Sequence, residues 1–181
     1  MTDPAISDGL DALALLRRNQ DSVTRLIDAY KGLCERGRDT AAEKMAVAQR
    51  LHLELTVTTL PQQEILGPPL RAVTGDTSLW RSQDASAWSL IAHLSMGEPG
   101  NSRFDGRLLV LGGELVRQYA QDSREALAHA SGLDLAALGA AMRARQQELM
   151  AEFDAPAPAP EDESGDPVGQ PVSDALTRDP D

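Results

Sequence analysis

The sequence predicts an all-α protein: an up-down-up-down four-helix bundle with an additional C-terminal helix and a disordered acidic tail. Three observations predict it. Aromatic residues make up only 3% of the chain while Ala and Leu are plentiful, which suits helices packed through small and medium side chains. Apolar residues recur at three- and four-residue steps, the period of a helix with one buried face. The breaks between these stretches are short, and short connectors join antiparallel neighbours. A length of 181 residues suits one domain plus a tail: a flexible segment at 1–8, a bundle at 9–153 and the tail at 154–181.

Asp8 is placed to cap a first helix whose stripe, Leu10, Leu13, Leu16, Val23, Leu26, Ile27 and Tyr30, runs to about Cys34. Gly37-Arg38-Asp39 breaks it, and Asp39 or Thr40 caps a second helix that turns Met45, Ala48, Leu51, Leu55 and Thr58 inward. Pro61 lies inside this helix, removes one backbone hydrogen bond and predicts a kink; Gly67-Pro68-Pro69 predicts its end. A turn over residues 70–76 leads to a third helix, capped by Asp76 or Thr77, with Leu79, Trp80, Ala87, Leu90, Ile91 and Leu94 facing in. Met96-Gly97-Glu98-Pro99-Gly100-Asn101 stops it. The fourth helix spans about 102–129 on Phe104, Leu108, Leu111, Leu115, Val116 and Tyr119, and the pair Gly112-Gly113 inside it predicts close helix packing. Ser131-Gly132-Leu133-Asp134 introduces the last helix, about 135–153, which packs on the outside of the bundle.

Beyond Phe153, Ala155-Pro156-Ala157-Pro158-Ala159-Pro160 favours an extended polyproline conformation. Residues 154–181 hold eight Asp/Glu against the single Arg178, which leaves −4 of the net −11 on the bundle. With too few apolar groups to offset its chain entropy, the tail is expected to be disordered and solvating.

Composition excludes several functions. A net charge of −11 without a basic stripe argues against nucleic acid and against an anionic membrane surface. No uninterrupted apolar stretch reaches ~18 residues, and Met1-Thr2-Asp3-Pro4 lacks the basic and apolar regions of a leader. A soluble cytoplasmic protein is expected, with the lone Cys34 a reduced core residue. There is no Gly-x-Ser-x-Gly elbow and no glycine-rich phosphate loop, and Gly112-Gly113 lacks the following Lys that such a loop needs. Trp80 and Trp88, eight apart on one helix, fit core or interface anchoring.

Five stretches carry a likeness. They are Leu15-Leu16-Arg17-Arg18-Asn19-Gln20-Asp21-Ser22-Val23, the run from Leu53 through Thr58 and Gln62 to Arg71, Gln83-Asp84-Ala85-Ser86-Ala87, Arg117-Gln118-Tyr119-Ala120-Gln121-Asp122-Ser123, and Ser131 to Gly139. In this order and spacing the chain resembles the haemerythrin-like (HHE cation-binding) family over residues 10–150. That resemblance implies a bundle whose core, in the family, holds a di-iron centre. It also implies where the ligands would fall. The first-helix His matches Gln20, the second-helix His and Glu match Thr58 and Gln62, the third-helix His matches Asp84, and the fourth-helix His and Glu match Tyr119 and Ser123. Two irons require imidazoles and bridging carboxylates. Only Asp84 and Tyr119 have iron-binding chemistry here, so no metal or other cofactor is expected.

The six matched residues are then expected to converge between four helices. Buried polar groups without partners cost ~1–3 kcal/mol each, so they would form a network with trapped water, line a small polar pocket, or collapse with some turned outward. The expected function is a non-enzymatic interaction, scaffold or regulatory, ligand-sensing module. Its partner would be an unidentified protein or small molecule, with no nucleic acid and no membrane; a homo-oligomer stays open. The alternative is an iron- or oxygen-binding protein that uses a rearranged set such as Asp84, Tyr119, Glu125 and His129. A third reading is an enzyme with a metal-free polar pocket. Of the three histidines, His52 and His93 neighbour apolar stripes, and His129 has Glu125 one turn away, which by itself reads as an exposed ion pair.

Overall fold

A computed structural model describes residues 11–37, 40–74 and 78–154; the side chains of 74, 78–84 and 122–128 are outside that description. The described chain is helical and contains no strand. Its elements are α1 (Ala12–Arg36), α2 (Ala41–Pro61), a π turn (Gln62–Leu66), α3 (Gly67–Thr74), α4 (Ser78–Met96), α5 (Ser102–His129) and α6 (Leu135–Asp154). Helix α1 packs on α2 and α5, and α4 closes the ring by packing on the same two; α6 lies against α1, α2 and the π turn.

Local chemistry explains the ends. Asp11 caps α1, its carboxylate accepting from the Ala14 N–H at 2.8 Å; the expected cap Asp8 lies outside the described residues. Thr40 stands at the start of α2 without capping it through its side chain. Its hydroxyl turns back to the Leu33 and Gly37 carbonyls, at 3.2 and 2.8 Å, and so closes the end of α1. The stretch expected to separate the third and fourth helices does so, and Asn101 caps α5 by accepting from the Arg103 N–H at 2.9 Å. Gly97 in that stretch is forced: a Cβ there would stand 2.1 Å from the Phe104 ring. Met45, expected inward, is 40% exposed.

The largest departure from expectation lies after Pro61. The helix does not stop at Gly67-Pro68-Pro69, and there is no turn from residue 70; the chain stays helical to Thr74. The π turn explains how. The Gln62 N–H donates to the Thr58 and Thr59 carbonyls, and the Gly67 N–H reaches back five residues to Gln62. Pro68 and Pro69 then follow directly on this widened turn, in the first residues of α3, the part of a helix where proline is best tolerated. Neighbours hold the π turn from both sides. The Trp88 indole N–H donates to Gln63 at 3.2 Å, and the Arg145 guanidinium donates to Glu64 at 3.0 Å.

Two apolar clusters result. The larger joins α1, α2, α4 and α5 through Val23, Ile27, Leu51, Leu55, Leu90, Leu108 and Leu115. The smaller joins the start of α1 (Leu13, Leu16) to Leu66, Leu70 and Met142. Gly112 permits the close approach expected of it, since a Cβ would stand 3.0 Å from the Ile27 side chain; Gly113 faces open space. No helix of the described residues is long and apolar enough to cross a membrane.

Candidate functional site: a polar layer, a buried ion pair and an arginine-lined groove

Four of the six family-matched residues are described, and all four are buried: Gln20, Thr58, Gln62 and Tyr119. Along α1, Gln20 falls between Leu16 of the smaller cluster and Val23 of the larger one. Along α2 and the π turn, Thr58 and Gln62 fall between Leu55 and Leu66 in the same way. Tyr119 belongs to the larger apolar cluster, and Thr58 also lines the groove described below. The side chains of Asp84 and Ser123 lie outside the described residues.

The described residues Gln20, Thr58 and Gln62 supply none of the imidazoles and carboxylates that a di-iron centre needs. Gln20 and Gln62 offer neutral amides. The Thr58 hydroxyl donates to the carbonyl of Glu54 in its own helix at 2.7 Å, which ties it to the backbone. The rearranged ligand set meets a geometric obstacle. Buried Tyr119 and exposed His129 stand ten residues apart on α5, about 15 Å along the axis, too far to share one ion. The Glu125 side chain lies outside the described residues. Among the described residues no group of three or more His, Cys, Asp or Glu is placed to hold a metal. His93 has a structural role: its ring stacks on Phe104 with centroids 4.3 Å apart, and its Nε2 lies 3.0 Å from the Phe104 carbonyl.

A second polar group was not anticipated. Asp105 accepts from Lys44 Nζ at 2.6 Å, from the Tyr30 hydroxyl at 2.6 Å and from the Gly100 N–H at 3.0 Å. All three side chains are buried. Burial pushes the Asp105 carboxyl up, but the bonds from Lys44, Tyr30 and Gly100 outweigh it and hold the group below the usual carboxylate range. Burial, then the bond and charge of Asp105, push the Tyr30 hydroxyl up. The bond to Asp105 pushes the Lys44 ammonium up. Burial, with the charge of Asp105, raises the neighbouring Cys34, so it stays a thiol. A cleft of about 560 Å³ opens beside the pair, yet both carboxylate oxygens are already engaged. This cluster clamps α1, α2 and α5 together. Its signal was present in the sequence: Lys44 leads the stripe Ala48, Leu51, Leu55, and Asp105 leads the stripe Leu108, Leu115, Tyr119.

The arrangement best suited to a ligand is a groove of about 700 Å³ between α1, α2 and α6. Helix α1 supplies Leu15, Arg18, Ser22 and Arg25, on one face at helical spacing. Helix α2 supplies Arg50, Glu54 and Val57; α6 supplies Arg143, Gln147, Met150 and Asp154. Four arginines thus face two carboxylates, in a chain whose net charge is −11. Arg50 reaches Glu54 only at 4.0 Å. Guanidinium groups present planar forks that match carboxylate and phosphate oxygens, while Leu15, Val57 and Met150 give an apolar component.

Comparison with known proteins finds no family model, no curated protein and no solved structure that matches this chain.

Proposed function

We propose that this chain is a non-enzymatic binding module that captures acidic peptide segments in the groove between α1, α2 and α6. The observation that carries this reading is the gathering of Arg18, Arg25, Arg50 and Arg143 in one groove of an acidic protein. Their spread favours an extended polyanion over a single small anion. Arg18 and Arg25 alone stand seven residues apart on α1, about 10 Å. The frame that presents the groove is an up-down-up-down bundle of the haemerythrin-like kind, in which Gln20, Thr58, Gln62, Asp84, Tyr119 and Ser123 stand at the metal-ligand positions and Asp84 is the one carboxylate among them. The closed ring of α1, α2, α4 and α5 and the buried Gln20, Thr58 and Gln62 support that reading.

Binding is tested with fluorescein-labelled octaglutamate by fluorescence anisotropy at low ionic strength. Saturable binding is expected, falling with salt as charges become screened beyond about 8 Å at physiological strength. The double variant Arg18→Glu/Arg50→Glu should bind about tenfold or more weaker, since like charges now face the peptide. Equal affinity in the two proteins would rule the groove out. Metal analysis after expression in iron-supplemented medium tests the frame: iron far below one per chain is expected, and near-stoichiometric iron would overturn the loss of the metal centre.

A further inference from the structure

From Ala85 to Met96, twelve consecutive residues of α4, the chain carries no Asp, Glu, Lys or Arg, although these make up 25% of the sequence. The inward positions account for part of this, since Ala87, Leu90, Ile91 and Leu94 are core. The outward positions are not core. Ala85, Trp88, Ser89, Ala92, Ser95 and Met96 are all exposed, Trp88 to 39% and Met96 to 84%. At about 100° per residue they share roughly a third of the helix circumference. The solvated side of a surface helix ordinarily carries charge. A side stripped of charge and holding Trp and Met has instead the composition of an interface core. We propose that two copies of this chain associate through this stripe, α4 against α4, antiparallel about a two-fold axis at Ala92.

The stripe is complementary to itself, as an isologous contact requires. Trp88 and Met96 lie four residues to either side of Ala92, about 6 Å along the axis. An antiparallel pair centred on Ala92 therefore sets Trp88 of each copy level with Met96 of the other, an aromatic ring against a thioether. Ser89, Ala92 and Ser95 are small and leave room for the helices to approach and for the two large side chains to seat. The Trp88 indole N–H already donates to Gln63 at 3.2 Å, so covering the ring leaves no polar atom without a partner. Charge points to the same occupant. At a net −11, two copies repel each other, and the stripe lets them touch without opposing carboxylates. It also offers an acidic or basic partner nothing to pair with. Two helices crossing over this length bury less than the ~1,200 Å² of a stable interface. The dimer is therefore reversible, with a Kd on the order of 100 μM. None of the six stripe residues lines the arginine groove, so the association is independent of the acidic-peptide reading.

The test is sedimentation equilibrium of the full chain from about 10 μM to about 1 mM, a range that brackets the expected Kd. The mass should rise from one chain towards two. Added salt should strengthen the association, because it screens the repulsion between two acidic copies. Ala92→Glu sets two carboxylates against each other at the axis and should weaken the dimer about tenfold or more. The site is exposed and Glu is a good helix former, so an unchanged circular dichroism spectrum confirms the fold. Val110→Glu, at a 70% exposed position on α5, should leave the dimer within about twofold. In a Cys34→Ser background, Ala92→Cys should cross-link two chains on mild oxidation. Ala85→Cys, about 10 Å from the axis in each copy, should not. A chain that stays monomeric throughout overturns the proposal. So does a dimer that Ala92→Glu leaves intact, that Val110→Glu abolishes, or that salt dissociates. Equal cross-linking of the two cysteine variants overturns the antiparallel register.

Discussion

Asp105→Ala is expected to lower the unfolding free energy by about 3–5 kcal/mol, the cost of leaving one member of a buried ion pair without its partner. The stranded group is the Lys44 ammonium, whose side chain is only 9% exposed. Tyr30 and the Gly100 N–H lose their acceptor at the same time. For a domain stable by about 5–15 kcal/mol, that is a large share of the total, and urea denaturation would show it as a fall in midpoint. Replacing both charges, with Lys44→Met and Asp105→Leu together, should recover much of the loss, because a well-packed apolar pair avoids the desolvation of two ions. The pH dependence has two limbs. Asp105 sits below the usual carboxylate range, so its stabilisation is complete above that range and is lost as pH falls through the lowered pKa. Tyr30 and Lys44 sit above their usual values, so their stabilisation is complete below about pH 10 and is lost as pH rises through the raised pKa values. Asp105→Asn should flatten the acid limb; an unchanged acid limb would show that the clamp does not contribute to it.

Leu66→Ala should cost about 2–5 kcal/mol, the usual range for emptying a fully buried leucine site. Leu66 is 0% exposed because the π turn carries the helix on past Pro61 and sets this residue against Leu13, Leu16 and Met142. A helix that ended at Gly67 would leave Leu66 in a fraying last turn, and its truncation would then cost well under 1 kcal/mol, as for other exposed sites. Val73, 49% exposed on α3, serves as the control, and Val73→Ala should change stability by less than about 0.5 kcal/mol.

Most helices could be read from the sequence because their stripes are long and periodic. The bounds expected for α5 and α6 agree closely with Ser102–His129 and Leu135–Asp154, and the Gly112 contact with Ile27 followed from a glycine within a helix. The path after Pro61 was hidden for a physical reason. Proline rules assume one hydrogen-bond register, whereas the π turn changes it, and Pro68 and Pro69 follow in the first residues of α3, where proline is best tolerated. The Lys44–Asp105 pair was legible in principle as opposite charges on two apolar stripes, though nothing local says that the stripes meet. The groove was not legible at all. Arg18, Arg25, Arg50 and Arg143 are scattered over 126 positions of the chain, and only the packing of α6 on α1 and α2 collects them. The absence of a basic run was therefore a poor guide to the absence of a basic surface.

The most direct test of the groove as the binding site is a ¹⁵N–¹H correlation spectrum of the full chain titrated with unlabelled octaglutamate. Resonances of Arg18, Ser22, Arg25, Arg50, Arg143 and Gln147 should shift together and saturate at one affinity. Shifts confined to Cys34, Lys44, Ser102 and Asp105 at the other cleft, or no shifts at saturating peptide, would contradict it.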